Sequence, residues 1–156
     1  MEKSKKGSFR KVNAGDPRRT SRNLGRLIMQ FQRLERSPRT FGEAGELTPS
    51  EIHLIDAIGC DSTMLMGELA KSLGVTKGAV TQMVDRLEGR DLLERTPHPT
   101  DLRSTYVSLT KKGVIAYQAH DKMRLDFYRQ LQSKLEDKEV EAFDKAIVKL
   151  IDFLKA

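Results

Sequence analysis

Two capping signals only two residues apart constrain this chain more than any other feature. Gly74 stands where a left-handed C-terminal cap would close one short helix, and Thr76 stands where a hydroxyl would open the next. The spacing predicts helix, tight turn, helix. Leu69, Ala70 and Leu73 lie inside the first helix, and Val80, Met83, Val84 and Leu87 share one face of the second, over residues 76–89. Lys77, Thr81, Gln82, Asp85 and Arg86 fall on the opposite face. The β-prone runs Leu92–Arg95 and Thr105–Leu109 then flank TPHPTDLRS, whose prolines and Asp/Ser content mark a hairpin loop.

The flanking segments read as supports for that unit. Residues 1–17 hold Gly7, Gly15 and Pro17 among charges and have almost nothing to bury, which predicts a mobile tail. A helix with the apolar stripe Leu24, Leu27, Ile28, Phe31 and Leu34 follows and ends before Pro38. Residues 36–47 read as a loop, and Thr48-Pro49-Ser50-Glu51 sets a capping box with proline at the first helical position. Ile52, Ile55 and Ile58 face the core from that helix; Thr63 or a neighbour caps the next. Thr110 opens a long helix, and after a break near Glu136-Asp137 a final one carries Val140, Phe143, Ile147, Leu150 and Leu154 in a coiled-coil-like seam. Such a seam fits a mutual interface between two chains, with packing inside one chain as the plain alternative.

Composition narrows the class. One cysteine excludes an intrachain disulfide framework, and the absence of a leader or of about 18 consecutive apolar residues leads to the expectation of a cytoplasmic protein without membrane insertion. The formal charge is +6, and residues 1–20 hold seven Lys/Arg against Glu2 and Asp16. The tail is therefore a solvated arm or one that touches phosphates beside a main site. No phosphate loop or hydrolase motif is present and the three histidines are scattered, so an enzyme is not expected.

Gln, Thr and Arg on the outer face of helix 76–89 can exchange hydrogen bonds with base edges in a major groove wide enough to admit a helix; the bland reading is a solvated face. A hairpin directly after such a helix is a wing. Its Arg95 and Arg103, with His98 as a lesser candidate, would approach phosphates or a minor groove, and Asp101 can hold the Arg103 guanidinium.

The succession ELTPSEIHLIDAI, ELAKSLGVTKGAVTQMVDRLEGRDLLER, Asp101-Leu102-Arg103 and Leu109-Thr110-Lys111-Lys112-Gly113 resembles the MarR family of winged helix–turn–helix transcriptional regulators. The resemblance covers about residues 20–155. It implies a mainly α fold with a small β-hairpin wing, whose winged lobe (48–109) reads DNA and whose dimerisation lobe (18–36 and 110–156) interlocks with a second copy. It implies a homodimer on a palindromic operator, with recognition-helix positions Thr76 to Arg86 and wing positions Arg95 to Ser104. DNA contacts are accordingly assigned to Thr76, Lys77, Thr81, Gln82, Arg86, Arg95, His98, Asp101, Arg103 and Ser104, with Asp101 orienting the wing and Arg103 entering the minor groove. One departure is Asp91, which stands where the family usually has glycine; Asp tolerates the left-handed conformation better than most residues.

MarR-like regulators often release DNA when an effector binds between the lobes. A small organic effector is the first choice here, with Arg26, His53, Tyr117 and His120 as polar contacts. Zinc is the second choice, since zinc-sensing members of the family use histidines at the places of His53 and His120. Asp56 and Cys60 join those histidines as weak metal candidates, no metal site is assigned, and no cofactor is required. Asp61 beside Cys60 raises its pKa and argues against a redox switch. The reading is a homodimeric DNA-binding regulator, acting as a repressor. The alternative is a winged-helix protein-interaction adaptor without DNA binding.

Overall fold

The computed structural model describes residues 16–34, 36–101 and 103–155, so the tail over residues 1–15 lies outside the described residues. The chain divides after Ser37 into two compact units. The first contains α1 (Pro17–Leu34), an amphipathic helix none of whose residues is buried. The second runs β1 (Arg39–Thr40), a 3-10 turn (Gly42–Ala44), β2 (Glu46–Leu47), α2 (Pro49–Ile58), β3 (Met64–Leu65), α3 (Met66–Leu73), α4 (Lys77–Glu88), β4 (Leu93–Pro97), β5 (Thr105–Leu109), α5 (Lys111–Gln132) and α6 (Asp137–Lys155). Among the described residues, no helix is long and apolar enough to cross a membrane.

The capping signals act as the sequence predicts. Thr48 accepts the Glu51 N–H at 3.3 Å while Glu51 accepts the Thr48 N–H at 2.9 Å, and Pro49 fills the first helical position. Gly74 closes α3 in the left-handed conformation, and Thr76 caps α4 by accepting the Ala79 N–H at 3.2 Å. The start of α3 is different from expectation. Its N-cap is Leu65 rather than Thr63; Leu65 has no hydroxyl to accept a first-turn N–H, and the Glu68 carboxylate accepts the Leu65 N–H at 3.0 Å.

Three strands form one antiparallel sheet in the order β3-β5-β4, with Met64 opposite Val107 and Leu93 opposite Leu109. The hairpin strand is longer and later than the run Leu92–Arg95 suggests, continuing to Pro97, which pairs with Thr105 at the strand's end. Proline is tolerated there because β4 is an edge strand. Residues 36–47 are also more than a loop. They form the two-residue ladder of β1 with β2 around the 3-10 turn, and Phe41, Ala44 and Leu47 at three-residue spacing turn inward to join the core. The rest of that core comes from Ile52, Leu54, Ile55 and Ile58 of α2, Leu69 and Ala70 of α3, Val80, Met83, Val84 and Leu87 of α4, Leu92 and Leu93, Val107 and Leu109 of β5, and Ala116 of α5.

The start of α5 is keyed to the turn that leaves α4. Thr110 donates its backbone N–H to the Leu92 carbonyl at 3.2 Å and its hydroxyl to the Asp91 carbonyl at 2.6 Å, while that hydroxyl also accepts the Gly113 N–H at 3.1 Å. Lys112 Nζ donates to the Arg90 carbonyl at 3.0 Å. Gly113 is required at this crossing: a Cβ there would sit 2.1 Å from the Leu92 oxygen. Asp91 makes the turn with φ 59°, the one non-glycine residue with positive φ among the described residues, so the departure from glycine at this position keeps the left-handed geometry.

Two substitutions test this junction. Gly113→Ala should cost about 3 kcal/mol in urea unfolding, the upper end for overpacking, since a backbone atom cannot rotate out of the way. Asp91→Gly should instead raise stability by about 1 kcal/mol by removing the left-handed penalty. A neutral Gly113→Ala would show that the α5 start is not held against Leu92.

Candidate nucleic-acid interface

Helix α4 separates its two faces completely. Val80, Met83, Val84 and Leu87 are buried, whereas Thr76, Lys77, Thr81, Gln82, Asp85 and Arg86 are exposed. Two hydroxyls already have partners: Thr76 is the helix cap, and Thr81 Oγ1 donates to the Lys77 carbonyl at 3.0 Å. Arg86 is 61% exposed in its side chain, and its Nε lies 3.7 Å from Glu51 Oε1.

Glu51 itself is nearly buried, at 6% exposure. Beyond closing the capping box it faces Arg90, whose Nη1 is 3.8 Å away. Arg90 Nη2 donates to the carbonyls of Ala44 and Glu46 at 3.2 and 2.7 Å, so one arginine ties the end of α4 to α2 and to the segment before it. The sequence signals only the cap, because the register between Glu51 and residues 86–90 is a tertiary fact.

The wing is braced from inside. His98 stacks on Tyr106 with ring centroids 5.0 Å apart, and its Nδ1 accepts the Asp101 and Thr100 N–H groups at 3.1 and 3.3 Å. An accepting Nδ1 puts the ring proton of neutral His98 on Nε2. Asp101 accepts the Arg103 backbone N–H at 3.0 Å and the Ser104 hydroxyl at 2.6 Å. The expectation that Asp101 holds the Arg103 guanidinium is thus corrected: the carboxylate folds the backbone of the turn, as short Asp side chains do two residues ahead of themselves. The Ser104 hydroxyl first, then the Arg103 N–H, hold its carboxyl below the ordinary carboxylate range.

Arg95 occupies a third position in this arrangement. Its guanidinium bonds both Asp85 and Glu88 of α4, spaced one helical turn apart on the side facing β4. The wing strand is therefore pinned to the helix it follows. Net charge over residues 48–109 is −3, from six Lys/Arg and nine Asp/Glu.

The residues assigned to an effector fall in two places. Arg26 lies on α1, in the first unit, whereas His53, Tyr117 and His120 lie in the second. His53 is exposed and His120 is buried, with rings 6.4 Å apart; Tyr117 is half-buried against the core. His120 Nδ1 lies 3.6 Å from Asp56 Oδ1, within ion-pair distance but beyond hydrogen-bond range, and both atoms are buried without a hydrogen-bond partner. Burial is the main cause that lowers the His120 pKa, opposed by the Asp56 charge. Asp56 Oδ2 is taken by the Arg124 guanidinium, which also bonds Asp121 at 3.0 Å.

That arrangement does not fit zinc. Among the described residues no three His, Cys, Asp or Glu side chains converge as a ligand set, and a permanent cation already sits on Asp56. Cys60 is only half-buried, and desolvation, then the Asp61 and Asp121 charges, push its thiol pKa up, away from thiolate reactivity.

Comparison with known proteins agrees with this geometry. The MarR family model matches residues 47–105, the α2-to-wing segment. The multiple antibiotic resistance protein MarR of Salmonella typhimurium is 32% identical over 130 residues, spanning 82% of this chain and 90% of that protein. FabT of Streptococcus pneumoniae, solved in complex with DNA, shares the fold at a TM-score of 0.77 and 24% identity, over 90% of this chain and 98% of FabT. A mutant MarR from E. coli, solved with operator DNA, is 29% identical at a TM-score of 0.61, over 87% of this chain and 99% of that one. With that identity across most of both sequences, and with the helix pair, wing and α5 start built as described, the chain belongs to the MarR family.

Proposed function

We propose that this chain is a homodimeric, sequence-specific DNA-binding transcriptional regulator that acts as a repressor. The observation that carries the reading is the pairing of an outward face of Lys77, Thr81, Gln82 and Arg86 on α4 with a wing whose turn is locked by Asp101. Such a face suits a major groove, and a rigid turn presenting Arg103 suits the adjacent minor groove or its phosphates. The DNA complexes of FabT and of the MarR mutant support it, as does the naming of MdtR of Bacillus subtilis, a 30% identical relative, as a repressor. In this reading Arg95 is a positioning residue that fixes the wing to α4, and Thr76, His98, Asp101 and Ser104 shape the elements they belong to.

Dimerisation follows from apolar surface that a monomer leaves in water. Leu24, Leu27, Ile28, Phe31 and Leu34 of α1 are 43–50% exposed, and Leu150, Ile151, Phe153 and Leu154 of α6 are 46–75% exposed. Faces of this kind on two terminal helices suit a second copy of the chain, and a twofold dimer in turn suits a palindromic site.

A small organic effector is favoured over a metal, because the Arg124 guanidinium already occupies the place a cation would take on Asp56. His53 of α2 lies beside His120, with ring centroids 6.4 Å apart, and Tyr117 precedes His120 by three residues on α5.

Three measurements check this reading. Gln82→Ala should cost about 1–3 kcal/mol on the preferred duplex and relax the sequence preference, in fluorescence polarisation against DNA from the gene's own upstream region. Arg103→Ala should weaken binding about tenfold across sequences; unchanged affinity would remove the wing role, and no binding by the parent chain to any duplex would favour the adaptor alternative. His120 has its folded pKa lowered, so the stability it supports is complete above about pH 6.5 and is lost as pH falls through that value toward the lower folded one. Thermal melting from pH 7.5 to 5 should therefore show a fall that His120→Gln reduces; an identical slope in the variant would assign the titration elsewhere.

A further inference from the structure

The charge of this chain is placed where the reading elements are not. Residues 1–36 carry eleven Lys/Arg and three Asp/Glu, a net +8, so residues 37–156 are net −2. A winged segment of net −3 approaching a polyanion is repelled at long range, and its attraction has to come from another surface.

Helix α1 supplies one. Its charged side chains are all arginine: 18, 19, 22, 26 and 33. At about 100° per residue all five fall within roughly a 100° arc, opposite the apolar stripe of Leu24, Leu27, Ile28, Phe31 and Leu34. Arg18, Arg22 and Arg26 follow one another at about 6 Å along the axis. Arg19, Arg22, Asn23 and Arg26 line a common cleft. Among the described residues, no salt bridge engages any of the five. A stripe made wholly of arginine, with planar forks matched to phosphate oxygens, is suited to a row of phosphates.

We infer that the arginine face of α1 is a phosphate-contacting surface for double-stranded DNA, which supplies most of the electrostatic attraction while α4 and the wing supply sequence preference. This rests on the DNA-binding reading above and extends it. An amphipathic helix with an arginine face also suits an anionic membrane, but then the apolar stripe would have to enter lipid, whereas the proposed dimer uses that stripe as its interface.

The test uses the full chain and two variants, Arg18→Gln/Arg22→Gln/Arg26→Gln and the same three positions changed to Lys. Each is titrated with a labelled duplex from the gene's upstream region and with a scrambled duplex, between 50 and 300 mM KCl. Circular dichroism and light scattering confirm helix content and dimer mass.

The Gln variant should lose at least tenfold in affinity on both duplexes at 100 mM salt. Its log–log salt slope should become shallower by about 0.9 per lost contact, or roughly 5 when all six arginines of the homodimer contact phosphates, while the ratio between duplexes is kept. The Lys variant should retain most of the slope. An unchanged slope in a dimeric, DNA-binding Gln variant would overturn the proposal and leave the regulator reading standing. Failure of the parent chain to bind any duplex would overturn both. Loss of sedimentation with phosphatidylserine vesicles, at unchanged DNA slope, would assign the face to a membrane instead.

Discussion

A single backbone contact organises the winged helix–turn–helix unit. The Leu92 carbonyl accepts the Thr110 N–H and lies so close to Gly113 that no side chain fits between them. Around it the Asp91 and Arg90 carbonyls take the Thr110 hydroxyl and the Lys112 ammonium. The turn that ends α4, the strand that begins the wing, the strand that closes it and the helix that follows therefore meet at one point. The pattern Leu-Thr-x-x-Gly is explained there in physical terms: Leu109 enters the core, Thr110 caps α5 and spans the turn, and Gly113 allows the crossing.

Charge completes what packing begins. Glu51 faces Arg86 and Arg90, and Arg95 binds Asp85 and Glu88, so α4 is held at its C-terminal end by α2 and along its flank by β4. These pairs are partly exposed, and each is worth on the order of 1 kcal/mol or less to stability. Their importance is geometric, since they fix the orientation of α4 against α2 and β4.

Much of this was legible in the residues. Gly74 and Thr76 marked the turn, Thr48-Pro49-Ser50-Glu51 marked the start of α2, and the 3–4 spacing of Val80, Met83, Val84 and Leu87 separated the core face of α4 from its outer face. These signals are local, set within one turn of helix. β3, two residues long, was not legible because alternation needs a longer run, and the inward turn of Phe41 and Ala44 was hidden in a segment rich in Gly and Pro. The partners of Arg95, Glu51 and Asp56 were also hidden, because each lies on another element whose register only folding sets. Asp101-x-Arg103 reads in the sequence as a carboxylate beside a guanidinium, whereas in the structure the carboxylate accepts the Arg103 backbone N–H and the Ser104 hydroxyl.

The contact between Gly113 and Leu92 also governs how motion can travel. Where side chains separate two elements, a small displacement is absorbed by a change of rotamer and fades within one layer. Here main chain meets main chain, and nothing between them can rotate or compress. A shift of α5 at its first turn therefore bears directly on the backbone at the root of the wing, with no side chain between them to take it up.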